Sequence, residues 1–150
     1  MNAASPTRLL GFDYGTRRIG VAVGQTLTAT ATPLGTARCE NGSPDWERID
    51  AWLREWRPSA LVLGLPHHAD GTDNALTPRV REFGNALETR TGLTIHMVDE
   101  RLSSHAAEQS LRTSGRRPEP EEIDALAAAR ILQDWLEDRP PVRTETAGES

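Results

Sequence analysis

Between Pro58 and Pro66 the chain runs Ala60-Leu61-Val62-Leu63-Gly64-Leu65, six residues without one polar side chain. Flanking prolines do not let a helix run on through the segment, and so short and continuous an apolar run reads as a strand covered on both faces. Such a strand needs helices above and below its sheet, which places the chain in the α/β class.

The helices this requires are legible on either side. Ser43-Pro44-Asp45 supplies a start, and Trp46, Ile49, Leu53 and Trp56 then recur at helical spacing until Pro58 stops the run. Thr77 and Pro78 open a second helix carrying Val80, Phe83 and Leu87, which Gly92 closes just before a strand over Leu93 to Val98. Ser103 or Ser104 caps a third helix ending at Gly115, and after a breaker segment, Arg116 to Pro120, a last helix runs from Glu121 to Asp138. Ahead of all these, Arg8 to Phe12 and Arg18 to Val23 read as strands joined by a turn over Asp13 to Arg17, with Ile19, Val21 and Val23 alternating with small residues. A third threonine-rich stretch, Thr28 to Ala37, contains Pro33 and so belongs at a sheet edge. The order predicts one mixed five-stranded sheet, antiparallel over its first three strands and then parallel, flanked by helices.

At 150 residues the chain has room for one sizeable core, read as a domain over residues 1–138 followed by a frayed tail over 139–150. No apolar run approaches a membrane span, so no membrane partner is expected and the cytoplasm is the default compartment. The lone Cys39 has no internal disulfide partner. A net charge of −5 is the wrong sign for coating a polyanion by bulk electrostatics. Every cation is an arginine, however, and Arg17 with Arg18 and Arg116 with Arg117 form local pairs suited to phosphates.

Three carboxylates carry the chemistry. Asp13 lies between Gly11 and Gly15 where the first strand ends, and serves equally as a turn aspartate or as part of a site that a ligand approaches closely. Glu100, flanked by Asp99 and Arg101, directly follows the last apolar strand, where ligands gather in open α/β sheets; capping the next helix is the alternative reading. Asp124 is in phase with Ala128, Ile131 and Trp135, on the apolar face of the last helix. A carboxylate turned toward a core demands a hydrogen bond, an ion pair or a metal, although aspartate in a first helical turn also complements the helix dipole. Oxygen ligands converging from two strand ends and a helix start suit Mg²⁺ or Mn²⁺, ions that hold phosphates and activate water. The histidines His67, His68, His96 and His105 lack ligand spacing, and the tryptophans at helical spacing read as core or interface rather than a base-stacking platform.

Four strings in order complete the reading: Gly11-Phe12-Asp13-Tyr14-Gly15-Thr16-Arg17-Arg18-Ile19-Gly20-Val21-Ala22, then Val62-Leu63-Gly64-Leu65-Pro66 with Asp70-Gly71, then Asp99-Glu100-Arg101-Leu102-Ser103, then Ile123-Asp124-Ala125 leading into Ile131-Leu132-Gln133. Over residues 8–138 the chain resembles the YqgF-type pre-16S ribosomal RNA nucleases, also described as Holliday-junction-resolvase-like proteins. That resemblance implies a ribonuclease H-like fold, with Asp13, Glu100 and Asp124 as catalytic metal ligands. It implies as task the 5′-end trimming of precursor 16S ribosomal RNA, free or within a ribosomal particle. Arg17, Arg18, Arg101, Arg116 and Arg117 are the expected nucleic-acid contacts. The sequence departs from the family in carrying His67-His68 where an Asn-Met pair is common, and Arg116-Arg117-Pro118-Glu119 where lysines are common. Related resolvases also show a fourth carboxylate one turn beyond the helix aspartate, where this chain has Ala127, so one metal or assistance from Asp99 stays open. The alternatives are the same chemistry on branched DNA, for which a symmetric homodimer suits a two-fold junction and a monomer does not; an ATP-binding module of the actin and sugar-kinase kind, suggested by Asp13-Tyr14-Gly15-Thr16; and an idle binding module.

Overall fold

The computed structural model describes residues 7–40, 42–66, 71–99 and 119–138. In chain order the elements are β1 (Arg8–Tyr14), β2 (Arg18–Gln25), β3 (Thr30–Glu40), β4 (Ser43–Pro44), α1 (Trp46–Trp56), β5 (Ala60–Leu65), α2 (Thr77–Thr91), β6 (Ile95–Asp99) and α3 (Pro120–Asp138). The expected helix over 103–115, the histidines His67, His68 and His105, and the tail over 139–150 lie outside the described residues.

The sheet has six strands, in the order β4-β3-β2-β1-β5-β6, where the sequence predicts five. The additional strand is the two-residue β4, which pairs Ser43 with Glu40 and Pro44 with Cys39. Ser43 and Pro44 therefore belong to the sheet and not to a helix start. Asp45 caps α1 instead, its carboxylate accepting from the Arg48 amide at 3.3 Å. The antiparallel-then-parallel plan holds: β1–β2 and β2–β3 are antiparallel, β1–β5 and β5–β6 parallel. β1 reaches Tyr14, one residue past Asp13, because Asp13 and Tyr14 remain in register with Gly20 and Ile19. β3 is longer than expected, and Pro33 is accommodated where its register with β2 slips between Val21 and Ala22, a bulge that needs no amide from proline.

Strand alternation sends side chains to two separate cores. Leu10, Phe12, Tyr14, Ile19, Val21, Leu61 and Leu63 join Ile49 and Trp52 of α1 and Val80, Phe83 and Leu87 of α2. Leu9, Ala22 and Val62 face the other way, against Ala128, Ile131, Leu132 and Leu136 of α3. β5 is thus covered on both faces, as its apolar run requires. Each fully buried Leu, Ile or Phe contributes about 1.5–3 kcal/mol.

The α3 side is built by close approach. A Cβ on Gly11 would lie 2.9 Å from Leu132 Cβ, and one on Gly20 would lie 1.9 Å from the carbonyl oxygen of Asp124. No real Cβ tolerates the second distance, so glycine at position 20 is what lets the first turns of α3 rest on β2.

Candidate active site

β1, β5 and β6 run parallel, so their carboxyl ends share one edge of the sheet. Asp13 occupies that end of β1, directly across from Gly20 of β2. The backbone of Asp124 sits on Gly20. Strand pairing and helix contact therefore bring Asp13 and the start of α3 together, since directly opposed residues in an antiparallel pair have Cα atoms about 4.5–5.5 Å apart.

Asp124 follows the expected phase, aligned with the buried Ala128 and Ile131 and the half-buried Trp135. Its carboxylate is not isolated. Arg18 Nε donates to Asp124 Oδ2 at 2.7 Å, with the two side chains 31% and 27% exposed. The hydrogen bond to Asp124 raises the Arg18 pKa, burial opposes that shift, and the charges of Asp124 and then Glu121 reinforce it. The two neighbouring arginines thus differ: Arg17 is an exposed turn residue, whereas Arg18 is held against a carboxylate.

Arg17 and Arg18 line a cavity of about 300 Å³ together with Thr36, Arg38, Glu40 and Glu121. Cys39 also lines it and is buried, its thiol donating to the Tyr14 hydroxyl at 3.7 Å. Burial first, and next this contact with Cys39, push the Tyr14 phenol up to about 12.

Asp99 ends β6 in register with Leu65. It lines a separate cavity with Asp134, Trp135 and Glu137. Those residues begin ten positions after Asp124 on α3, about 15 Å along the helix axis. The structure thus brings Asp13 and Asp124 together and turns Asp99 toward the other end of the helix. Among the described residues no group of three His, Cys, Asp or Glu side chains is placed to hold a metal ion. Glu100, the third expected ligand, lies outside them, as do Arg101, Arg116 and Arg117. The donor set that is described, two hard carboxylates at one sheet edge, fits Mg²⁺ or Mn²⁺ and not a thiophilic ion.

The tryptophans of α1 are engaged by the protein itself. Arg90, Arg48 and Arg8 place their guanidinium carbons 4.4, 4.5 and 5.7 Å from the ring centres of Trp46, Trp52 and Trp56. His96 likewise packs on Trp135, with 4.7 Å between ring centres. These contacts agree with a structural role for the three tryptophans of α1 and for His96. Sequence reasoning passed over Glu121, Arg38 and the steric demand at Gly20. The signal for the last was present in Gly20, Ala22 and Gly24, small residues recurring on one face of β2.

A six-stranded mixed sheet with helices on both faces is the ribonuclease H-like fold. Solved structures agree in fold. Thermus thermophilus RuvC in complex with a Holliday junction substrate superposes with a TM-score of 0.51 at 21% identity, covering 87% of this chain and 93% of that one. The fowlpox virus Holliday junction resolvase gives 0.53 at 11% identity, covering 88% and 99%. The family model "RuvX: Holliday junction resolvase" matches residues 7–138. Relatives in Azotobacter vinelandii and Pseudomonas aeruginosa PAO1, both named "Putative pre-16S rRNA nuclease", are each 45% identical over 139 and 143 residues, spanning 91% and 93% of this chain and 98% and 99% of theirs. The chain belongs to the RuvX family, the YqgF type that its motifs resemble.

Proposed function

We propose that the protein is a metal-dependent endonuclease that hydrolyses phosphodiester bonds in precursor 16S ribosomal RNA, with Asp13, Glu100 and Asp124 as its metal-binding carboxylates. The observation that carries the proposal is the contact of the Asp124 backbone with Gly20, opposite Asp13, because it draws two carboxylates from distant parts of the chain to one sheet edge. The names borne by relatives at 45% identity support ribosomal RNA as the substrate.

When bound, Mg²⁺ or Mn²⁺ supplies Lewis-acid activation of the attacking water and counter-charge for the departing oxygen. The chain's own residues do the rest. Asp13 is fixed by its place inside a strand, and Arg18 restrains Asp124 through one carboxylate oxygen. Arg17, on the exposed turn beside them, is proposed to meet phosphates, and Arg101, Arg116 and Arg117 to extend that contact. The cytoplasm is the proposed compartment. Among the described residues no helix is long and apolar enough to cross a membrane.

The second reading is the same chemistry on branched DNA, favoured by the family description and by a similar fold solved in complex with a Holliday junction substrate. It calls for a homodimer, whereas processing one RNA strand needs only a monomer. The deciding experiment offers the full chain with Mg²⁺ precursor 16S ribosomal RNA, unrelated single-stranded RNA, a four-way DNA junction and ATP. Cleavage of the precursor is expected, abolished by chelation and by Asp13→Asn. Symmetric cutting of the junction alone transfers the assignment to DNA. ATP turnover without cleavage, or cleavage surviving in the Asp13→Asn variant, refutes the proposed site.

A further inference from the structure

The candidate centre already contains a cation. Arg18 Nε sits 2.7 Å from Asp124 Oδ2, so a positive charge occupies the side chain that a divalent ion would use. Two cations at one carboxylate repel, and in the partly dry setting of a sheet edge that repulsion is stronger than in water.

The surroundings of Arg18 offer it a second place. The cavity beside it is about 300 Å³, larger than a guanidinium needs, and Glu121 stands on its wall. Glu121 precedes Asp124 by three residues on α3, so the two carboxylates lie on one side of the helix. Of the two, only Asp124 holds the guanidinium by a hydrogen bond, while Glu121 acts on it through charge. Rotation of the flexible arginine side chain therefore exchanges one carboxylate for another without uncovering a bare charge.

We propose that Arg18 is the resident counter-ion of Asp124, that a divalent cation binds by displacing it, and that Glu121 receives the displaced guanidinium. This rests on the reading of Asp124 as a metal-binding carboxylate. Arg18 is then a positioning residue acting through Asp124, and the metal affinity of the protein is set by an exchange of cations rather than by filling an empty site. Its neighbour Arg17 has no part in the exchange.

The test titrates the full chain with Mn²⁺ alone, without nucleic acid, and reads affinity by calorimetry and by the paramagnetic signal of the free ion. Arg18→Gln is expected to bind Mn²⁺ more tightly, on the order of tenfold, a typical size for coupling between two sites. Glu121→Gln is expected to bind it several-fold more weakly, and that loss should vanish in the Arg18→Gln/Glu121→Gln double variant, because the effect of Glu121 is routed through the arginine. Arg18→Lys, which keeps the charge, should stay near the wild-type affinity and guards against a folding defect in Arg18→Gln. Unchanged or weaker binding in Arg18→Gln, or a Glu121→Gln loss undiminished in the double variant, overturns the exchange. Asp124→Asn separates the two levels: if it leaves Mn²⁺ binding intact, the site assignment itself falls. If it weakens binding while Arg18→Gln fails to tighten it, only the exchange falls.

Discussion

The two faces of the sheet are packed by opposite means. On the α1 and α2 face, large side chains fill the space between sheet and helices: Phe83 lies 5.8 Å from Phe12, 5.2 Å from Tyr14 and 5.5 Å from Trp46 between ring centres. On the α3 face the sheet contributes Gly11, Gly20, Ala22 and Gly24, and the helix presents Ala125, Ala128 and Ala129. A layer of large side chains tolerates rotamer adjustment, whereas a helix backbone resting on a strand has nowhere to move. The candidate site stands on the second face. The face that carries most of the aromatic mass is therefore a source of stability, and the face with the smallest residues sets where the carboxylates are.

Truncation and enlargement separate these roles. Phe83→Ala should cost about 3–5 kcal/mol, the usual range for emptying a buried aromatic site, read as a fall in the denaturant midpoint at constant slope. Cleavage per folded molecule should stay close to wild type, because Phe83 packs in the core on the face of the sheet opposite α3. Gly20→Ala should also cost stability, more than the roughly 1–3 kcal/mol of ordinary overpacking because the new Cβ meets backbone atoms, and cleavage is again read per folded molecule. Its cleavage rate should nevertheless fall by roughly 10²-fold, since the new Cβ must push the Asp124 backbone away and displacements of about 1 Å at a catalytic group have that consequence. Parallel losses of activity in both variants would break the division of labour.

Alkaline pH tests the aromatic face without a substitution. Tyr14 is the only tyrosine, and its phenol is pushed from 10.0 to about 12, mainly by burial. Above pH 10 the unfolded chain loses this proton while the folded chain keeps it, so the unfolded state binds fewer protons and stability declines as pH rises. The contribution is complete below pH 10 and is lost between 10 and 12, amounting to about 2–3 kcal/mol at 1.36 kcal/mol per pH unit. Tyrosinate absorbance should follow unfolding, and Tyr14→Phe should flatten the pH dependence of the denaturant midpoint over that window.

What the sequence disclosed follows the same division. Signals that depend on one element were readable: the Pro-bounded apolar run of β5, Thr77-Pro78 and Gly92 bounding α2, and the helical phase of Asp124 with Ala128 and Ile131. The antiparallel-then-parallel plan was read from the order of elements, and the convergence of the carboxylates from their places at strand ends and a helix start, while the family motifs supplied their assignment as metal ligands. What stayed hidden depends on contacts between elements. β4 is a strand only because Cys39 and Glu40 offer it an edge, and two residues carry no periodicity. Arg18 looks in sequence like half of an arginine pair, and its commitment to Asp124 exists only once α3 lies on β2.

The smallest effect expected is a gain, and it sharpens the contrast between the faces. Both helices on the aromatic face end in the left-handed region, α2 at Gly92 with φ 71° and α1 at Arg57 with φ 47°. Glycine takes that conformation freely, whereas a side chain there incurs steric strain of about 1–2 kcal/mol. The Arg57 amide donates to the Leu53 carbonyl at 2.9 Å, a bond that glycine retains. Arg57→Gly should therefore raise stability by about 0.5–1 kcal/mol, the relief of strain being offset in part by a more flexible unfolded chain. A higher denaturant midpoint with unchanged cleavage would place one more adjustable position on this face. A change in cleavage would mean that the end of α1 communicates with the carboxylates across the sheet, and the two faces would no longer be separable.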